Sequence, residues 1–87
     1  MTNVNVSVVP FSPLGASAGK GFKLGLVEAG TKAAQNDTWT VTNASEVIAA
    51  FVSDDSAGTV DVCTFSTNVI TLTGAATGAT TGLVIYR

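Results

Sequence analysis

Hydrophobic and polar residues alternate with a period of two in short runs along this chain. Val4, Val6 and Val8 alternate with Asn3, Asn5 and Ser7, and Phe22, Leu24 and Leu26 alternate with Lys23, Gly25 and Val27. Trp39 and Val41 are framed by Thr38, Thr40 and Thr42. Val60 and Val62 straddle Asp61, Ile70 and Leu72 alternate with Thr71 and Thr73, and the chain closes on Gly82-Leu83-Val84-Ile85-Tyr86-Arg87. This period, in runs rich in Val, Ile, Thr and Phe, predicts strands with one buried face. Phe22, Trp39 and Phe51 are expected to point inward. Between the runs, Asn36-Asp37, Asp54-Asp55 with Gly58, and Ser66-Thr67-Asn68 supply the residues that tight turns require. The last of these should join 59–65 to 69–73 as an antiparallel hairpin. Residues 45–52 read as a strand. Asn43 and Glu46 have the spacing of a helix capping box, but Val47, Ile48, Phe51 and Val52 crowd a stretch too short for a stable helix.

The expected fold is therefore all-β: a small antiparallel β-sandwich or barrel of about six or seven strands with an extended N-terminal arm. The arm comprises residues 1–21 and the β domain residues 22–87. Residues 10–21 hold both prolines and three glycines and interrupt the strand pattern, setting Val4–Val9 apart from the rest. The first strand can then pair outside its own domain or fold back onto its own sheet. In the first case, removing residues 1–14 leaves a folded domain. The run Gly74-Ala75-Ala76-Thr77-Gly78-Ala79-Thr80-Thr81-Gly82 has no bulky side chain and reads as a connection that packs little.

Composition adds one constraint. The chain has 87 residues, enough for one domain, yet 46% are hydrophobic and only 11% are charged. A body this small cannot bury so much apolar surface, and monomers rarely leave large contiguous patches open. Some of the surface is expected to face another protein. No apolar run approaches the roughly 20 residues of a membrane-spanning helix, and the N-terminus has neither the basic nor the apolar region of a signal peptide. With four basic residues and a formal charge of −2, the chain lacks the basic patch that nucleic acid requires.

The chemistry of catalysis is sparse. There is no histidine, so the commonest general base and metal ligand is missing. The lone Cys63 has no imidazole to activate it and reads as a buried structural residue. Gly15-Ala16-Ser17-Ala18-Gly19-Lys20-Gly21 fails as a phosphate-binding loop. It is one residue short between its glycines, and Gly21 stands where a magnesium-binding hydroxyl belongs. Asp54, Asp55 and Asp61 lack the spacing of a calcium loop and read as turn residues. Trp39 could stack on a sugar, but its alternation with Val41 assigns it to the core. The chain is not expected to be an enzyme or to need a cofactor or metal.

The C-terminal part, GTVDVCTFSTNVITLTGAATGATTGLVIYR, resembles small structural proteins of tailed-phage virions in its Val/Ile/Thr hairpin, its Ala/Thr/Gly run and its terminal strand. With the chain's size and its N-terminal segment, the resemblance is to head decoration, or cement, proteins. It implies a virion protein, made in the host cytoplasm and placed on the capsid exterior. Its partners would be major capsid subunits and copies of itself, with a homotrimer favoured. The resemblance assigns no residue to this contact; by their own apolar character, Val4, Val6, Val8, Phe11 and Leu14 of the arm are the ones expected to clamp a partner. The other reading is a glycan- or receptor-binding module of a phage fibre or adhesin, which calls for exposed aromatics around a polar groove.

Overall fold

Alternation of small apolar and polar residues builds the strands, and the inward set fills the space between two sheets. A computed structural model describes residues 2–11 and 22–87, apart from the side chains of residues 29 and 30. Among them are nine strands and no helix: β1 Asn3–Val6, β2 Val9–Pro10, β3 Lys23–Lys32, β4 Asp37–Val41, β5 Val47–Asp54, β6 Thr59–Asp61, β7 Cys63–Ser66, β8 Val69–Leu72 and β9 Gly78–Tyr86. They form a four-stranded sheet, β1-β4-β8-β7, and a five-stranded sheet, β2-β3-β9-β5-β6. The expected all-β architecture is the observed one.

Five connections among the strands pass from one sheet to the other, and two of them, β1–β2 and β6–β7, join edge strand to edge strand and close the sandwich at its sides. At one corner β1 ends on the first sheet and β2 begins on the second. At the other, β6 ends on the second sheet and β7 begins on the first. Strands that switch sheets at a bend are the usual corners of such packings. Counting each switching run once reduces the nine strands to seven, within the expected number. Val62 is the bend between β6 and β7 and stands 71% exposed. Its carbonyl accepts hydrogen bonds from the Thr73 amide and hydroxyl. The hairpin expected from residue 59 to residue 73 is therefore β7–β8 alone, turning at Thr67 and Asn68, while 59–61 belongs to the opposite sheet.

The N-terminal segment folds back. β1 pairs with β4 in parallel, Val4 opposite Trp39 and Val6 opposite Val41, whereas all other strand pairs are antiparallel. Val6 and Val8 lie in the core. The Asn43 side chain holds the corner by accepting from the Val8 amide at 2.9 Å and donating to the Val8 carbonyl at 2.8 Å, as a neighbouring strand would. Residues 2–11 are thus part of the sandwich rather than a separate arm.

The run 74–82 is also more than a connection, because Gly78–Tyr86 is a central strand flanked by β3 and β5. Its small residues make room. A Cβ at Gly82 would lie 2.7 Å from Cζ3 of Trp39, whose indole fills the middle of the core.

Two outcomes test this packing. Deleting residues 1–14 removes two buried valines and the partner of β4, at a cost of several kcal/mol (about 1.5–3 for each buried valine), so the cooperative urea transition should be lost. Gly82→Leu should destabilise by about 1–3 kcal/mol and shift the blue Trp39 emission toward the red, read by denaturation and fluorescence.

Candidate functional site

The residues expected to bind a partner are not gathered on one surface. Val6 and Val8 are core residues, and Val4 is half-buried against them. Phe11 is 40% exposed at the end of β2, where its amide donates to the Leu24 carbonyl. Leu14 lies outside the described residues. Burial of Val6 and Val8 corrects the expectation that they reach outward, because pairing β1 with β4 turns their side chains into the domain's own core.

An apolar surface does exist, on the outer face of the five-stranded sheet. Register places Val9 beside Leu26, Leu26 beside Leu83, and Leu83 beside Phe51, so one row of apolar side chains crosses four strands. Leu24, Ile85 and Ala49 form the neighbouring row. Val60 of β6 extends the patch, and an almost wholly apolar groove of about 250 Å³ runs between Leu26, Phe51, Val60 and Leu83. Phe51 is 60% exposed, against the expectation that it points inward. The cause is a bulge in β5 between Val47 and Ala49. One extra residue reverses the alternation, so Val47 faces the core before the bulge, and Val52 and Asp54 face it afterwards. Trp39, by contrast, is 2% exposed and offers no face to a sugar.

A second bulge, in β3 between Glu28 and Gly30, turns Lys32 inward. Lys32 would otherwise follow Leu24 and Leu26 to the outer face. Its ammonium lies 2.5 Å from Oδ2 of Asp61, and both side chains are fully buried. The Gly74 carbonyl accepts from Lys32 Nζ at 2.6 Å, and the Gly74 amide donates to Asp61 Oδ1 at 2.8 Å. A Cβ at Gly74 would collide with that oxygen at 2.7 Å, so only glycine permits the approach. Asp54, also buried, hydrogen-bonds to Asp61 through its carboxyl. Burial, followed by that hydrogen bond and the negative charge of Asp61, pushes the Asp54 carboxyl up toward its neutral form. Burial acts in the same sense on Asp61, but the hydrogen bonds from Lys32, Gly74 and Asp54 outweigh it and hold Asp61 below the ordinary range. Asp54 and Asp61 thus serve a buried network rather than turns alone, and the mark of it in the sequence is Gly30 inside a strand two residues before Lys32, since an interior glycine often signals a bulge.

The remaining candidates have local roles. Asp55 accepts hydrogen bonds from the hydroxyls of Ser53 and Thr81. Cys63 is half-buried, packs against the core and donates to the Ala50 carbonyl. Burial and then the Asp61 charge push its thiol up, away from the thiolate. Asp37 accepts from the Thr2 amide through Oδ1 at 2.8 Å and from the Ala33 and Ala34 amides through Oδ2, tying the N-terminal segment to the β3–β4 turn.

Compared with known proteins, the chain matches no family model, no curated sequence and no solved structure.

The Asp37 contacts make a signed prediction. Its carboxyl is lowered first by the Thr2 amide, against burial, and then by the amides of Ala34 and Ala33. A depressed folded pKa contributes stability that is complete above the unfolded value and lost as pH falls through the folded one. Asp37→Asn should therefore melt below the parent at neutral pH, and the gap should narrow on acidification. Thermal midpoints of both chains across an acid titration would check it.

Proposed function

We propose that this chain is a structural, non-enzymatic virion protein that binds other protein subunits through the outer face of its five-stranded sheet, as a decoration protein does on a capsid shell. The single observation that carries the binding reading is the row Val9–Leu26–Leu83–Phe51, an open apolar stripe on a rigid sheet. Water leaves such a surface favourably at about 25 cal/mol per Å² of apolar area, and stripes of this kind mark protein contacts. Phe51 beside its groove has the character of an anchor residue, since interface energy concentrates in aromatic side chains seated in apolar pockets.

The shell as partner rests on the resemblance of the C-terminal part to small tailed-phage structural proteins, and copies of the chain itself are the second partner. The contact is read on the sheet face, Val9 included, rather than on Val6 and Val8, because those two already serve the domain's own core. Phe11 borders a cleft of about 560 Å³ with Asn5, Ser7, Val9 and Glu28.

Phe51→Glu tests the reading, because a charge on an exposed strand position should change stability by less than about 1 kcal/mol. The parent chain should associate in light scattering after size exclusion and co-sediment with assembled tailed-phage shells. The variant should remain folded by circular dichroism and do neither. Equal association and co-sedimentation by the folded variant would remove the sheet face as the binding surface.

A further inference from the structure

We propose that Lys32 and Asp61 condense spontaneously to an intramolecular amide, an isopeptide bond between Nζ and Cγ, with Asp54 relaying the protons. The inference is independent of the binding reading above. It starts from proximity: Nζ stands 2.5 Å from the Asp61 carboxyl oxygen, with both side chains shut away from solvent. A nucleophile held at such a distance reacts as though at very high concentration. Burial also removes the hydration that keeps an ion pair charged, and it excludes the water that would compete for the carboxyl.

The surrounding groups sit where the reaction needs them. The Gly74 carbonyl accepts from Nζ and orients the nitrogen, while the Gly74 amide donates to Asp61 Oδ1, the oxygen on which negative charge would develop. Asp54 hydrogen-bonds to Asp61 through its carboxyl, and its Oδ1 is buried with no hydrogen-bond partner. An orphaned carboxyl oxygen is a cost to a merely structural ion pair. For a proton relay, it is the open acceptor. A neutral Asp54 beside an ionised Asp61 is also the starting state required, since one carboxyl then holds a proton to give.

The atoms balance. Asp54 gives its proton to the Asp61 carboxylate and regains one that originates on the Lys32 ammonium, leaving a neutral amine beside a neutral acid. The nitrogen lone pair attacks Cγ of Asp61, and the C=O electrons move to Oδ1 under the Gly74 amide. Asp54 then protonates Oδ2, a second proton from nitrogen restores Asp54, and the Cγ–Oδ2 bond breaks. Ammonium and carboxylate become amide and water, Asp54 ends as it began, and no external reactant enters.

The bond would tie the end of β3 to the end of β6, residues 29 apart in sequence, and do for a chain with one cysteine what a disulfide does elsewhere.

The test is the mass of the purified full-length chain and of its tryptic fragments after denaturation. Trypsin cannot cut after an acylated lysine. The expected result is a single fragment spanning residues 24–87, one water lighter than its sequence, with fragment sequencing placing the branch at Lys32 and Asp61. Separate 24–32 and 33–87 peptides of full mass would overturn the proposal, as would a water loss located elsewhere. Asp54→Asn, nearly isosteric, should lose the cross-link while remaining folded by circular dichroism. Cross-linking of that variant at the parent rate would overturn the role of Asp54.

Discussion

The contact of Trp39 with Gly82 sets the distance between the two sheets, and much of the molecule is arranged around it. Most buried core residues are valines, too short to span the gap between sheets by themselves. One indole from β4 crosses it and meets bare backbone on β9. The small residues of β9 follow from this, since a larger side chain at residue 82 would push the sheets apart. The same geometry brings Ile70, Leu72, Val52 and Val84 into one core, and among the described residues no helix covers either sheet.

With no covering layer among the described residues, closure depends on the corners. The crossings at Ser7–Val8 and at Val62 link the edge strand of one sheet to that of the other, so the two edges on each side are joined by continuous backbone. Unpaired edges invite aggregation, and these corners limit them. They also set where the polar groups lie. Asn43 serves the first corner by binding both backbone groups of Val8, and Thr73 serves the second by donating twice to the Val62 carbonyl. The buried Lys32–Asp61 pair lies just before the second corner, with Gly74 closing over it. In so small a core, two charges can be shut away only because the backbone of Gly74 and the carboxyl of Asp54 complete their hydrogen bonding.

The two faces of the five-stranded sheet divide the molecule's properties. The inner face carries Val27, Val52, Val84 and Tyr86 and, near one end, the buried charges. The outer face carries Leu24, Leu26, Leu83, Ile85 and Phe51, and no part of the described chain covers it. Much of the apolar excess noted in the composition lies there, while Val62 at the second corner and Phe65 on the other sheet are exposed elsewhere.

Local physics determined the strands. Period-two alternation and the turn residues at 36–37, 54–55 with 58, and 66–68 are short-range properties, and they specified an all-β body of about six or seven strands with Trp39 inside. The absence of histidine, a property of composition, narrowed the available chemistry in the same way. Tertiary structure decided which way the side chains face. A bulge of one residue costs little and leaves only a weak mark in sequence, yet it reverses every side chain beyond it. The bulge in β5 turned Phe51 out to make the apolar row, and the bulge in β3 turned Lys32 in to meet Asp61. Whether the first strand would leave or stay was likewise settled by pairing with β4 and by Asn43, partners about 35 residues away that no local pattern announces.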